Sequence, residues 1–531
     1  MHRVKHSDLC YSGAQTLSQR LSKGDLSPVE LVEAFLERID TLNDTLKVFI
    51  HICRKEALTE ARKAEAEIRS GSYRGPLHGM PLAYKDIYDV AGLPMTGGSK
   101  LLKGYVSEED SAVAANLRRA GAVCIGKLNT WEFASGGMEL IGDARNPWNT
   151  ELVTGGSSSG SGAAVAAGLV PLATGTDTGG SVRDPAAFCG IVGLKPAFGR
   201  LDTRGIIPLS WSLDHPGPLA RTVADAAMLF YGMAGEPMPE GLFSFFANPK
   251  GHLRGVRIGI PGNFFFEHSD PQVSDLIRAA VSHMQSLGAS VQEIELPFVE
   301  YGPAASFTIA YIESLAFHRE CFFKHASDYT PAFIGKISSA AFLNASDHLT
   351  SERIRQRVTR GFLDALSAVD IIVTPMTAFP PHPIGSPPPQ SHVTSFARPV
   401  SLTGLPAMSI PCGFTSSDLP VNMQWIARAD EEEELFRTGH IYEQSAGWHT
   451  RRPPIDSGPV WTPPLPKHPA VKGIDAQWVL DTARQNGLTF VDGPMAEQIA
   501  VNVSSVKSVL GEAAERLRGF EPENLWERYI V

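Results

Sequence analysis

Five short apolar runs bounded by Gly and Pro follow one another after Gly75, at 80–84, 122–126, 170–174, 256–260 and 371–374. Runs this short are strand length, and stretches of helical periodicity at 111–120 and 271–287 lie between several of them. Strands alternating with helices predict an α/β layer architecture. Before Gly75 the chain starts helical. Ser27-Pro28-Val29-Glu30 reads as a capping box with Pro at the first helical position, and Leu31, Phe35, Ile39 and Leu42 then fall on one face. No internal period in the range of roughly 20–50 residues repeats, so solenoids and propellers are set aside.

The 531 residues, 43% apolar and 20% charged, are enough for one large domain or roughly two to three smaller ones. A formal charge of −10 with no Lys/Arg-dense block argues against nucleic acid as a partner. Cys10, Cys53, Cys124, Cys189, Cys321 and Cys412 are scattered without a C-x-x-C pair or a Cys/His spacing, so neither a disulfide framework nor a metal site is expected. Reduced thiols fit a cytoplasmic protein. The N-terminus lacks an apolar signal core, and the weakly polar run at 162–175 is too short and broken by Pro171, so no membrane anchor is expected.

The stretch at 451–470, RRPPIDSGPVWTPPLPKHPA, reads as an extended Pro-rich linker. Beyond it, 475–486 closed by Gly487 and 494–517 read as helices; the second carries Met495, Ile499, Val503, Val506, Leu510, Ala514 and Leu517 at helical spacing. A tail this short cannot bury that stripe alone, so it is expected to dock on the main domain or on a second subunit, as in a homodimer. The expected division is a catalytic domain over 1–450, a linker over 451–470 and a helical extension over 471–531.

Two motif matches fail on context. Residues 121–127, GAVCIGK, have a P-loop skeleton, but Leu128 stands where a Ser or Thr should hold magnesium; the run reads as a buried strand ending in an exposed Lys127. Ser158 sits in a G-x-S-x-G window, but the polar, turn-like NPWNTELVTGG precedes it where a nucleophile elbow needs a strand. Three other pieces carry more. TGGSSSGSGAAVAAG, from Thr154, is a Gly/Ser loop running into a small-residue helix, whose free amides favour developing negative charge. In LATGTDTGGSVRDPAAFCG a buried strand leads to Thr178-Gly179-Gly180-Ser181, where two glycines let successive N–H groups converge as an oxyanion hole requires; an ordinary strand-to-helix turn fits equally. Lys85 stands among Met80, Leu82, Ala83, Tyr84, Ile87 and Tyr88. Such surroundings lower an ammonium pKa and suit a base, while snorkelling to solvent or pairing with Asp86 or Asp89 is the alternative.

These pieces together resemble the amidase signature family of serine hydrolases. Residues 155–196 resemble its signature block, and GPLHGMPLAYKDIYDVAG its lysine segment. KLNTWEFASG, GLKPAFGRLDTRGIIPLS, SLDHPGPLARTVADAA and SLTGLPAMSIPCGF resemble further family segments in family order, over most of the first 450 residues. The resemblance implies a large central mixed β-sheet covered by helices on both faces and a Ser-cisSer-Lys triad. The nucleophile is then Ser181, the bridging serine Ser157 and the lysine Lys85. The backbone N–H groups of Thr178, Gly179, Gly180 and Ser181 form the oxyanion hole, and Ser158 becomes a loop residue. Asp177 and Arg183 are expected to pair and brace the nucleophile's loop. Ser159 stands where the family commonly has Gly, and Asp184 where an uncharged residue is more usual; Asp184 is read as a cap of the following helix.

The implied activity is cofactor-free hydrolysis of an amide C–N bond through an acyl-enzyme, with no metal. Family position points to Gly136, Gly137, Met138, Ile191 and Trp211 as substrate-lining residues, with the region 307–325, and their apolar character suggests a small apolar or aromatic amide. The family also includes carbamate- and ester-cleaving members and the glutaminase subunit of tRNA-dependent amidotransferases. The tail weakly resembles that complex's small helical accessory subunit, with a plain docking helix pair as the alternative.

Overall fold

The computed structural model describes residues 6–247, 251–386, 395–455, 474–485, 488 and 490–518. The strands, in chain order, are β1 Phe49–Ile52, β2 Pro81–Lys85, β3 Val123–Leu128, β4 Arg145–Asn146, β5 Asn149–Val153, β6 Leu172–Asp177, β7 Val192–Lys195, β8 His215–Ala220, β9 Arg257–Pro261, β10 Ser290–Ile294, β11 Ile371–Pro375, β12 Ala407–Phe414 and β13 Pro420–Ile426. All but β4 and β5 form one sheet in the order β1-β3-β2-β6-β8-β7-β12-β13-β11-β9-β10. It is mixed: β3, β2 and β6 run parallel, as do β11, β9 and β10, and the strands between them pair antiparallel. Helices cover both faces, and the short β4–β5 hairpin lies outside the sheet.

The five expected strands are β2, β3, β6, β9 and β11, several of them running farther toward their C-terminal ends. Those extensions matter, because Lys85 becomes the last residue of β2 and Thr176 and Asp177 the last of β6. Lys127 is corrected. It is fully buried, pairs with Asp86 Oδ1 at 3.0 Å and donates to the Pro94 carbonyl at 3.2 Å. Strand β8, HPGPLA, is concealed in the sequence by its prolines, which normally argue against a central strand. Pro216 and Pro218 are tolerated because β7 pairs only with Leu219 and Ala220, so both prolines lie where β8 has β6 alone as neighbour.

The helix Pro28–Leu46 begins at the expected place with Pro at its first position, but with only the Ser27 half of the expected capping box among the described hydrogen bonds. Ser27 Oγ accepts from the N–H groups of Val29 and Glu30, and Leu31, Phe35, Ile39 and Leu42 are buried. Helices Ala476–Gln485 and Gly493–Arg518 form near the expected places. Their apolar faces, including Val479, Ala483, Ile499 and Val503, close an apolar cluster with Phe322, Phe333, Ile337 and Phe342 of the main body. The expected linker is described only as far as Ile455, and Gly487 too lies outside the described residues. No helix among the described residues is long and apolar enough to cross a membrane.

Candidate active site

Strands β2 and β6 lie side by side and deliver their last residues to one point. Lys85 is fully buried; its N–H donates to Thr174 Oγ1 at 3.2 Å, and its Nζ lies 2.7 Å from Ser157 Oγ and 2.9 Å from Thr176 Oγ1. Thr174 and Thr176 alternate along β6, so they present the same face to the lysine. Burial lowers the Lys85 ammonium to about 7, while Asp214 and Asp177 act in the opposite direction. The Gly156–Ser157 peptide is cis. The Ser157 carbonyl accepts from Thr130 Oγ1 at 3.1 Å and the Trp131 N–H at 3.2 Å. Gly156 has no room for a side chain, since a Cβ there would stand 2.2 Å from Trp131 Cε2.

The second loop follows β6. Asp177 and Arg183, both fully buried, pair through Nη2 to Oδ1 at 2.8 Å and Nε to Oδ2 at 2.9 Å. Arg183 also donates to Ser401 Oγ at 2.7 Å and to Gln424 Oε1. Burial alone would raise the Asp177 carboxyl, but the Arg183 guanidinium holds it well below the usual range. Asp177 also accepts the N–H of Gly180 at 2.7 Å and that of Val182 at 3.2 Å. Gly180 is therefore corrected: its N–H is committed to Asp177 and does not face an oxyanion. Among the described residues the N–H groups of Gly179 and Ser181 have no acceptor. The Ser158 N–H donates to the Ser181 carbonyl at 3.3 Å, stitching the two serine loops together.

A sequence model of the family described as Amidase matches residues 30–436. The chain belongs to the amidase signature family. It is 39% identical over 478 residues to a glutamyl-tRNA(Gln) amidotransferase subunit of Methylococcus capsulatus, covering 82% of this chain and 97% of that protein. Among solved structures it is similar to the peptide amidase of Stenotrophomonas maltophilia, with TM-score 0.73, 32% identity, and 83% of this chain and 98% of that one covered. It is also similar to a glutamyl-tRNA(Gln) amidotransferase subunit of Thermotoga maritima, with TM-score 0.66, 30% identity, and 79% and 92% covered.

The remaining expected site residues of this family member separate. Ser158, 0% exposed, exchanges hydrogen bonds with the backbone of Thr176 through its hydroxyl, a structural setting. Ser159 Oγ donates to the Gly155 carbonyl at 2.7 Å. The Gly137 N–H donates to Thr330 Oγ1 at 3.0 Å, while a Cβ on Gly136 would stand 2.7 Å from that oxygen, so the absence of a side chain at Gly136 permits the close packing against Thr330. Met138 packs half-buried on the core. Ile191 is 2% exposed inside that core and Trp211 is 56% exposed at the surface. Asp184 caps nothing: its helix has no side-chain cap, and its Oδ2 lies 2.6 Å from where a Cβ of Gly180 would stand. The Thr178 hydroxyl donates to Asp214 Oδ1 at 2.5 Å, and the N–H groups of Leu209 and Ser210 donate to Oδ2.

Sequence reading missed Thr176, Asp214, Trp131, Lys336 and Arg398. Asp214 and Trp131 lie inside family-like segments, but no local pattern assigned them a task. Burial pushes the Asp214 carboxyl up to about 6, against its hydrogen bonds and the nearby Lys85. The surroundings expected to be apolar hold two cations. Lys336 Nζ donates to the Ser135 carbonyl at 2.6 Å and lies 5.0 Å from the Trp131 ring centre, and the Arg398 guanidinium lies 5.7 Å from the Phe307 ring centre. No group of three or more His, Cys, Asp or Glu side chains among the described residues is placed to hold a metal ion.

Proposed function

We propose that this amidase hydrolyses the C–N bond of a small amide through an acyl-enzyme on Ser181. The observation that carries the reading is the buried Lys85 Nζ at 2.7 Å from Ser157 Oγ, beside a loop whose Gly179 and Ser181 N–H groups have no acceptor among the described residues. Neutral Lys85 takes a proton from Ser157, Ser157 takes one from Ser181, and Ser181 Oγ bonds to the amide carbon. The carbonyl electrons move to the oxygen, where the amides of Gly179 and Ser181, with that of Thr178, stabilise the charge. The relay returns a proton to the nitrogen as the C–N bond breaks and ammonia or an amine leaves. Water, deprotonated through the same pair, attacks the ester carbon; the acid leaves and Ser181 regains its proton. The cycle as written consumes one water and needs no cofactor.

The test is release of ammonia or amine from a panel of primary, aliphatic and aryl amides, with matched esters and carbamates, by the purified chain and by Ser181→Ala. Turnover by wild type that disappears in the variant supports the reading; equal turnover by both refutes it.

A second reading, a glutaminase-type catalytic subunit, is favoured by a specific observation: relatives named as glutamyl-tRNA(Gln) amidotransferase subunits match 82% of the chain. It expects glutamine hydrolysis that depends on added partner chains, whereas the first reading expects turnover by the chain alone.

A further inference from the structure

Strand register brings Asp214 to the nucleophile loop. Strands β6 and β8 pair Thr176 with Pro216 and Asp177 with His215, so one step farther sets Thr178 opposite Asp214, just past the ends of both strands. The His215 ring holds that junction: its Nδ1 lies 3.1 Å from the Asp177 carbonyl oxygen and 2.6 Å from that of Leu213. The two carboxylate oxygens of Asp214 have different partners. Oδ2 accepts the N–H groups of Leu209 at 2.8 Å and Ser210 at 3.0 Å, closing the turn that carries Asp214, and Oδ1 accepts the Thr178 hydroxyl at 2.5 Å.

That turn is clamped from elsewhere in the fold. Glu313, on the helix Gly302–His325, accepts the Ser210 hydroxyl at 2.6 Å and the Ser212 N–H at 3.1 Å, and Arg355 donates to the Ser212 carbonyl at 3.2 Å. Asp214 is therefore a fixed point, whereas residues 178–181 are a loop between β6 and the helix Arg183–Cys189. With glycine at 179 and 180, the loop's own backbone does little to set its path. Asp177 holds its far end through the Gly180 and Val182 amides, and Asp214 holds its near end through the Thr178 side chain. A carboxylate acceptor makes that hold stronger than a neutral one would. The Asp214 charge also reaches the other half of the site: burial lowers the Lys85 ammonium, and Asp214 opposes that shift.

Resting on the reading of Ser181 as nucleophile, we infer that Asp214 is a positioning residue for the reaction, fixing the entry of the nucleophile loop through the Thr178 hydroxyl and so aiming the Thr178 and Gly179 amides at the developing oxyanion. Such donors accelerate a reaction only when they are already set where the charge will form. Loosening one end of the loop therefore slows the chemical step and leaves the serine in place.

The experiment follows labelling of Ser181 by a fluorophosphonate in the full chain. Ser181 Oγ bonds to phosphorus, the P–F bond breaks and fluoride leaves, the serine proton passes to the relay, and the phosphoryl oxygen takes the place of the oxyanion. Wild type, Asp214→Asn, Thr178→Val and the double variant are compared by second-order rate and by the fraction labelled at completion. Both single variants are expected to label about tenfold more slowly and to the wild-type end point. The double variant should be no slower than the slower single one, because both changes remove the same contact. Thr178→Ser, which restores the hydroxyl, should regain part of the rate lost in Thr178→Val. A wild-type rate in either single variant overturns the inference, so Thr178→Val decides it even where Asp214→Asn fails to fold. Losses that multiply in the double variant overturn it too, as does an end point that falls in place of the rate. Failure of the wild-type protein to label at Ser181 would instead overturn the nucleophile assignment beneath it.

Discussion

Lys85 Nζ lies 2.7 Å from Ser157 Oγ, at the junction where β2 ends and the Gly/Ser loop begins, with Thr176 Oγ1 closing the other side at 2.9 Å. With no carboxylate in contact among the described residues, the lysine is desolvated and not ion-paired there, so its neutral form is accessible near pH 7. Turnover limited by chemistry should rise about tenfold per pH unit below that value and level off above it. The check is a pH profile of kcat/KM; a flat profile from pH 5 to 8 contradicts the base assignment.

The same shift has a stability signature. Lys85 falls from an ordinary 10.5 to about 7 on folding, so the unfolded chain binds the extra proton between these values. Its contribution to stability grows as pH rises through that window and is fully lost below 7. Asp214 has the opposite sign. Raised from 3.8 to about 6, it contributes fully below 3.8 and loses that contribution as pH rises through 6. Urea unfolding of Lys85→Met should lack the alkaline increment that wild type gains between pH 7 and 9.

Arg183→Leu strands the Asp177 carboxylate in a site with 0% exposure for both residues. Removing one partner of a buried pair costs about 3–5 kcal/mol. The denaturation midpoint should fall accordingly, and because Asp177 also holds the Gly180 and Val182 amides, turnover should fall with it.

Gly156→Ala places a Cβ against the Trp131 ring beside Ser157. Either the ring or the serine must shift, and misplacement on this scale costs roughly 10²-fold in kcat. Comparing kcat with the melting temperature separates a displaced relay from a general loss of fold.

Much of this is legible in local sequence. Lys85 stands out because a cation in an apolar strand has few settings, and Asp177 and Arg183 because a short turn brings them together. Lys127 misleads for the same reason in reverse: its partner Asp86 follows β2, forty-one residues earlier, and periodicity carries no information about that pairing. Asp184 reads as a cap because helix starts favour acids, whereas the loop's curvature turns it toward Gly180. Arg398 and Lys336 lie far along the chain from Ser181, and only the order of strands in the sheet and the helices packed on it bring them to the site.

The tail docks through an apolar stripe, and Ile499, at 0% exposure, lies within it. Ile499→Ala should weaken the C-terminal helices by about 2–5 kcal/mol, read as faster hydrogen exchange over 493–518. Unchanged exchange there would place the docking energy elsewhere.

The central claim is that Ser181 is the activated nucleophile. Treating the full chain with a fluorophosphonate, reading the intact mass and mapping the labelled peptide tests it most directly. The account predicts one adduct, on Ser181, that disappears in Lys85→Ala. An adduct on Ser158, or no adduct on Ser181, would contradict it.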